Sequence, residues 1–288
     1  GPLIREAVES ALSQTVRPER IIIVDDGSDE QTSVDVLSAI LDDCRHGALD
    51  TGGVAVDFID QVNAGPSAAR NRGIAAAGTP FVVLDGDDRL MPTFIERTLP
   101  LLTADDSMVA SSGWLRTFGV LDSVVQPTGG DAGAFVSHNC CPATCMIRRS
   151  AWERCGGYDE SMRSGFEDWD LFLSMLERGL EPKDDAGKGA AHIGIAPEPL
   201  IEYRTAPASS NVTSMTKRLD LMRFLIAKHR DLYAAHIADA ILGVEAISMS
   251  RLAMWESLMR GDTTASQAFM THPTYGDGGM AAAVRLQS

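Results

Sequence analysis

Carboxylates gather at three places along this 288-residue chain, each beside an apolar run. Asp85-Gly86-Asp87-Asp88 follows Phe81-Val82-Val83-Leu84, so it stands where a buried strand is expected to end. Mg²⁺ or Mn²⁺ needs hard oxygen ligands, and one or two carboxylates plus substrate phosphates are the usual way to hold it beside a nucleotide. The competing reading is an acidic turn that caps a helix starting near Met91-Pro92, with Asp88 as the N-cap. Asp25-Asp26-Gly27-Ser28 ends a second such run, Ile21-Ile22-Ile23-Val24. Glu167 and Asp168 precede the helical spacing of Leu171, Phe172, Met175 and Leu176, which sets both in the first turn of a helix, where they at least complement its dipole. Successive helix residues diverge by about 100°, so the pair is not expected to share one task. Asp170 reads as a solvated helix residue.

A scaffold must hold these groups at the ends of its elements. Leu3, Ile4, Ala7, Val8, Ala11 and Leu12 have helical spacing; 21–24 reads as a strand; Val34, Leu37, Ile40 and Leu41 mark a helix. Residues 54–59 read as a strand, 65–77 as an Ala-rich helix after Pro66, and 81–84 as a strand. Strands alternating with helices imply parallel pairing in a doubly wound α/β fold, with ligands outside the carboxyl ends of the strands. Both strand-end acidic motifs then point at one crevice. Such a domain normally opens on a strand, so a first strand is expected upstream of Gly1. In the second half, 108–110, 119–121 and 144–147 read as short strands with antiparallel additions, and the loops 129–133 and 161–164 as lids that order on ligand binding. Residues 216–260 are helical throughout, with Leu219, Leu221, Met222, Leu225, Ile226, Ile237, Ile241, Val244 and Ile247 read chiefly as core. The division drawn is an α/β catalytic domain over 1–215 and a C-terminal helical extension and tail over 216–288.

Composition narrows the class. The 44% apolar and 23% charged residues are ordinary globular usage, and a net charge of −15 excludes a broad basic surface for nucleic acid. Cys44, Cys140, Cys141, Cys145 and Cys155 form no paired motif, which suits reduced thiols in a cytoplasmic protein. A zinc site at Cys140, Cys141, Cys145 and His138 is disfavoured, because adjacent cysteines rarely both reach one metal. The most apolar stretch, 234–253, is interrupted by His236, Asp239, Glu245 and Arg251, which argues against a membrane span.

Taken together, Asp25-Asp26-Gly27-Ser28, the segment Asn63-Ala64-Gly65-Pro66-Ser67-Ala68-Ala69-Arg70-Asn71-Arg72-Gly73, Asp85-Gly86-Asp87-Asp88 and Glu167-Asp168 resemble glycosyltransferase family 2 in order and spacing, over residues 3 to 215. The resemblance implies a GT-A fold, a Rossmann-like and mostly parallel central sheet flanked by helices, and inverting sugar transfer from a nucleotide-diphosphate sugar to an acceptor hydroxyl. It implies a divalent cofactor, Mn²⁺ or Mg²⁺, with Asp87 as ligand at the last position of a DXD motif and Asp85 facing the ribose or the metal's water shell. Asp26, with Asp25 behind it, would read the nucleobase, and Arg70 would reach the base or the diphosphate. Capping the following helix is the other reading of Asp26. Asp168 matches the family's catalytic base, Glu167 would contact acceptor hydroxyls, and Trp169 would offer a flat face to a sugar ring.

The chemistry agrees with those roles. Negative charge developing on a diphosphate leaving group is neutralised by a metal, and an attacking hydroxyl must lose a proton to a base. One base without a second nucleophile suits direct displacement with inversion. The chain departs from the family after Tyr203-Arg204, where Thr205-Ala206-Pro207-Ala208-Ser209 lacks the usual His, leaving Arg204 or Lys217 to supply positive charge.

Two other classes fit parts of the pattern. A sugar nucleotidyltransferase also places metal carboxylates at strand ends, and a catalytically silent module could keep the fold for carbohydrate or protein recognition. The partners expected are a nucleotide-diphosphate sugar and a carbohydrate, lipid-linked or protein acceptor, in polysaccharide or glycoconjugate biosynthesis. The C-terminal helices have three readings: packing on the catalytic domain, forming a homo-oligomer, or lying peripherally at the inner face of a membrane.

Overall fold

A computed structural model of the chain describes residues 3–78, 80–180, 190–262 and 264–288. The first half alternates as the spacing predicts: α1 (Leu3–Leu12), β1 (Arg20–Asp25), α2 (Gln31–His46), β2 (Ala55–Asp60), α3 (Pro66–Ala76) and β3 (Phe81–Val82). β1 pairs with β2 in parallel, from Arg20 opposite Ala55 to Asp25 opposite Asp60. Val8 and Leu12 of α1 close over Ile23, Ile40 and Val54 in a small core. Burying each such aliphatic side chain is worth about 1.5–3 kcal/mol, which is why α1 lies on this pair of strands rather than in solvent.

Next come β4 (Arg89–Leu90), α4 (Phe94–Ala104), β5 (Met108–Gly119), β6 (Val124–Val125), α5 (Ala132–Phe135), β7 (Met146–Ile147), α6 (Arg149–Cys155), α7 (Glu167–Arg178) and β8 (His192–Thr205). The second sheet has the order β3-β7-β5-β8-β4, with β6 on β5. Its long central pair, β5 and β8, is parallel; the short pairings around it are antiparallel. The expected short strand at 108–110 is the start of the longer β5, and of the strand expected at 119–121 only Gly119 belongs to it, as its last residue. Ser111, Ser112 and Thr117 look like interruptions, but each hydroxyl is satisfied, by Thr98 O, Thr144 O and Ser123 O, so they are buried with their hydrogen bonds made. β8 has no counterpart in the sequence reading, since Gly194, Pro197 and Pro199 resemble breakers. Between Gly113/Ala196 and Trp114/Pro199 the register jumps, and this bulge is where the prolines fit.

After β8 the chain is helical: α8 (Ser210–Ser214), a 3₁₀ turn (Met215–Lys217), α9 (Arg218–Lys228), α10 (Arg230–Ala235), α11 (Ile237–Met259), α12 (Thr264–Thr271) and α13 (Gly279–Gln287). The expected core along 216–260 needs correction. Leu225, Leu232 and Tyr233 are buried, but α11 buries none of its residues, and Ile241 and Trp255 are 62% and 57% exposed. The tail instead contributes to the core, with Met280, Ala281, Ala283 and Val284 of α13 packed into the cluster of Phe94, Leu115 and Leu200. Among the described residues no helix is long and apolar enough to cross a membrane.

The loop at 129–133, expected as a lid, is pinned. Gly130 and Ile193 exchange main-chain hydrogen bonds of 2.9 Å, Gly129 N–H donates to Cys140 O, and Asp131 caps α5. A segment so tied to β8 belongs to the frame of the molecule.

Candidate active site

A cavity of about 660 Å³ opens between the β3–β4 turn, the start of α7, the α8–α9 region and the turn before α13. Arg70, Asp85, Asp88, Glu167, Asp168, Trp169 and Tyr203 all contribute to its wall; Asp25, Asp26 and Asp87 do not. Two of the three acidic places are therefore joined in one site and the third stands apart.

Arg70, from the Ala-rich face of α3, holds the cavity together. Its guanidinium donates to Asp85 Oδ1 and to Glu167 Oε1, each at 2.7 Å, with its cation 5.5 Å from the Tyr158 ring centroid. Burial alone would favour losing the proton, but the carboxylates of Asp85 and Glu167 hold Arg70 well above its ordinary value. Asp85 and Glu167 are thus occupied by a protein cation, so Glu167 in this state does not offer its carboxylate freely to an acceptor.

Asp168 is placed differently. At the N-terminal turn of α7 its Oδ1 accepts its neighbour Trp169 N–H at 2.8 Å and its Oδ2 accepts Asn139 Nδ2 at 3.0 Å. Burial, reinforced by the negative charge of Glu167, pushes its carboxyl up to about 7 despite Arg70 and the Trp169 N–H. That is the range in which a carboxylate serves as a general base. Phe166 immediately before the pair has φ 65, and is the one non-glycine residue with positive φ among the described residues. Such a backbone is sparsely populated and persists where surroundings enforce it, here fixing the angle at which α7 enters the site.

Trp169 corrects an expectation. It is 1% exposed, its Nε1–H donates to Phe135 O at 2.8 Å, and its ring lies 5.3 Å from that of Phe166. The indole is core, with no open face for a sugar, because α7 is apolar on more sides than its spacing suggested. Asp170 is likewise not solvated: it is 1% exposed and accepts Lys228 Nζ at 2.8 Å and His229 Nε2 at 3.0 Å.

Asp88 is not the helix N-cap of the competing reading, since α4 begins at Phe94 with Thr93 before it. It is 3% exposed and accepts the Arg204 main-chain N–H at 2.8 Å, fastening the β3–β4 turn to β8. Burial and the adjacent Asp85 and Asp87 push it up to about 8, although the Arg204 N–H opposes this. Arg204 itself points away from the cavity, bonding Asp87 O at 3.0 Å and Glu6 at 3.0 Å and lying over Phe118. Of the two cations considered for the place of the missing His, Lys217 is the one on the cavity wall, where it donates to Ser164 Oγ. Arg163 and Arg218 line it too, and neither stood out in the sequence.

The other strand-end acids brace a loop. Asp26 accepts Gln61 Nε2, Ala64 N and Gly65 N at 2.7–2.8 Å, which positions Gly65 and the Pro66 start of α3; it does not cap α2. Partial burial works against ionisation, but these donors and the charge of Arg163 hold its carboxyl below its usual range. Asp25 accepts Ser28 N–H at 3.1 Å.

For a divalent ion the β3–β4 turn offers Asp85 and the exposed Asp87, and among the described residues no three His, Cys, Asp or Glu side chains converge as a metal cluster. Two carboxylates completed by phosphate oxygens is a fitting donor set for Mg²⁺ or Mn²⁺.

The fold and this placing of carboxylates define an α/β scaffold with an acidic cavity, and comparison with known proteins supplies the family. A model of glycosyl transferase family 2 matches residues 1–156, more than half of the chain, and the chain belongs to that family. It is 35% identical over 111 residues to the "uncharacterized glycosyltransferase YibD" of Escherichia coli K12, covering 38% of this chain and 29% of that protein. It is 30% identical over 184 residues to pre-mycofactocin glycosyltransferase of Mycobacterium tuberculosis, covering 58% and 36%. With succinoglycan biosynthesis protein ExoU of Rhizobium meliloti it shares 28% over 200 residues, covering 62% and 55%. The chain spans between 25% and 62% of the length of the curated relatives first matched. A crystal structure of GalNAc-T7 with UDP, GalNAc and Mn²⁺ shares the fold, with a TM-score of 0.52 at 12% identity over 81% of this chain and 47% of that one.

Proposed function

We propose that the chain transfers a sugar from a nucleotide-diphosphate sugar to an acceptor hydroxyl, with inversion, in the building of a polysaccharide or glycoconjugate. The observation that supports this most is that Asp85 and Asp168, from motifs far apart in sequence, line one cavity and are braced to each other's elements through Arg70.

In this reading Asp87, with Asp85 beside it, holds Mn²⁺ or Mg²⁺, which when bound neutralises charge on the departing diphosphate. Asp168 takes the proton of the attacking hydroxyl; its elevated proton affinity keeps it close to half ionised near neutral pH. Asn139 and the Trp169 N–H hold the carboxylate still. Arg70 fixes Asp85 and Glu167, while Lys217, Arg163 and Arg218 give the opposite wall the positive charge that a diphosphate needs. Asp26 orders the loop that delivers α3, and in this reading its remaining acceptor capacity is what would meet the nucleobase.

A screen of nucleotide sugars for donor hydrolysis and transfer, run on the unaltered chain and on Asp87→Ala and Asp168→Asn, tests the reading. Metal-dependent turnover of one donor, lost in both variants, is expected. Wild-type turnover in both variants overturns it.

A further inference from the structure

Asp168 is held by Asn139, and Asn139 in turn is held from the far end of the chain. The Asn139 amide donates to Asp168 through Nδ2 and accepts Cys141 N–H through Oδ1 at 3.2 Å, so its orientation is fixed by its own turn. Two residues of the turn before α13 bear on that segment. Tyr275 Oη donates to Cys141 O at 3.3 Å. Gly276, with φ 73, lies so close to the Asn139 main chain that a Cβ there would fall 1.9 Å from Asn139 O and 2.8 Å from Asn139 C. No side chain, and no L residue at that φ without strain, fits this position.

The turn is itself rigid. Thr274 Oγ1 and Gly279 N–H both donate to Asp277, at 2.8 Å each, Arg218 donates to Gly276 O at 3.2 Å, and Arg251 pairs with Asp277 at 3.5 Å. Beyond it α13 is buried in the core through Met280, Ala281, Ala283 and Val284. Tyr275, Gly276 and Gly278 line the same cavity as Asp168, although they lie 119 or more residues beyond the family match that ends at 156.

We propose that the turn Tyr275-Gly276 is a positioning element of the catalytic centre, fixing the Asn139 amide and through it the Asp168 carboxylate. The proposal rests on the reading of Asp168 as the base. Tyr275 and Gly276 are positioning residues: they touch Asn139 and its neighbour Cys141. A methyl group at 276 must displace the Asn139 main chain, and a misplacement of this size at a catalytic group costs on the order of 10²-fold in rate.

The test uses the full chain with Gly276→Ala, Tyr275→Phe and Asn139→Ala, and the double variant Gly276→Ala/Asn139→Ala. Nucleoside diphosphate affinity by calorimetry is expected to stay at the wild-type value in Asn139→Ala and Tyr275→Phe, while kcat for transfer falls on the order of 10- to 100-fold in Gly276→Ala and Asn139→Ala. The double variant is expected to lose no more than Asn139→Ala alone, since both act through one amide. Independently of activity, the Asn139 side-chain amide resonances, assigned from their absence in Asn139→Ala, are expected to shift in Gly276→Ala and Tyr275→Phe. Because Tyr275→Phe leaves the ring in place, it serves if Gly276→Ala does not fold. Unshifted amide resonances in a folded variant, or additive losses in the double variant, overturn the proposal. A wild-type chain without transfer activity whose Asn139 resonances still shift sinks the base assignment and leaves the positioning contact standing.

Discussion

The guanidinium of Arg70 donates to Glu167 at 2.7 Å across 97 residues of chain, and both side chains are 13% exposed. Its other terminal nitrogen donates to Asp85 at 2.7 Å, so a single side chain ties α3 to the β3–β4 turn and to the first turn of α7. Two fixed nitrogens facing two carboxylates is a geometry that lysine does not reproduce.

Arg70→Met therefore leaves two carboxylates near each other without a partner. Loss of about 3–5 kcal/mol of stability is expected, read from the urea midpoint. Arg70→Lys should recover only part of it, since one ammonium cannot bond both acids along the same directions. A midpoint unchanged in Arg70→Met contradicts the bracing role.

On the proposed reading, Asp168→Asn keeps the shape of the site and removes the proton acceptor. kcat for transfer is expected to fall about 10²- to 10⁴-fold with nucleoside diphosphate affinity retained. On the same reading the ionised form is the active one, and with burial pushing the carboxyl up to about 7, kcat should fall as pH drops below that value and level off above it. A profile flat down to pH 5 speaks against Asp168 as the base.

Asp87 and Asp88 are neighbours with different tasks. Asp87→Ala should weaken the dependence of turnover on added Mn²⁺, seen as a raised half-saturating metal concentration, with little change in thermal midpoint. Asp88→Ala removes the buried acceptor of the Arg204 N–H, and about 1–3 kcal/mol of stability should go with it. The opposite assignment, with Asp88→Ala altering only the metal response, is the result that breaks this distinction.

Asp159 gives a stability prediction with a defined pH window. Burial acts to raise its carboxyl, but Lys228 at 2.6 Å and the two bonds from Ser161 lower it to about 2. The folded value lies below that of an unfolded chain, about 3.9, so the stabilisation is full above pH 4 and is lost as pH falls toward 2. Asp159→Asn should be less stable than the unaltered chain at pH 6, with the two converging in acid; parallel acid profiles would count against the pair.

The elements through α3 were legible because they obey short-range rules. Ile21-Ile22-Ile23-Val24 is an unbroken strand run, and Pro66 after Gly65 opens α3 where proline suits a first turn. β8 was hidden by Pro197 and Pro199, whose tolerance depends on a bulge that exists only once β5 is alongside. In the site, the carboxylates were visible as strand-end and helix-start clusters, while their partners were not: Asp88 meets Arg204 across 116 residues and Cys141 meets Tyr275 across 134. Trp169 and Asp170 were misjudged for a related reason, since the elements that cover them, α5 and the junction of α9 and α10, are distant in sequence. The one local sign of the distal turn was its glycine spacing, Gly276 and Gly278 around Asp277.

The wall of the cavity draws on residues from Pro66 to Ala281. A chain growing from its N-terminus can complete the β1–β2 layer early, but it cannot close the cavity until α13 has emerged and docked. A product that ends between Asp168 and Thr274 would carry every carboxylate of the site and still lack its last wall, so such fragments should be inert even when most of their core has formed.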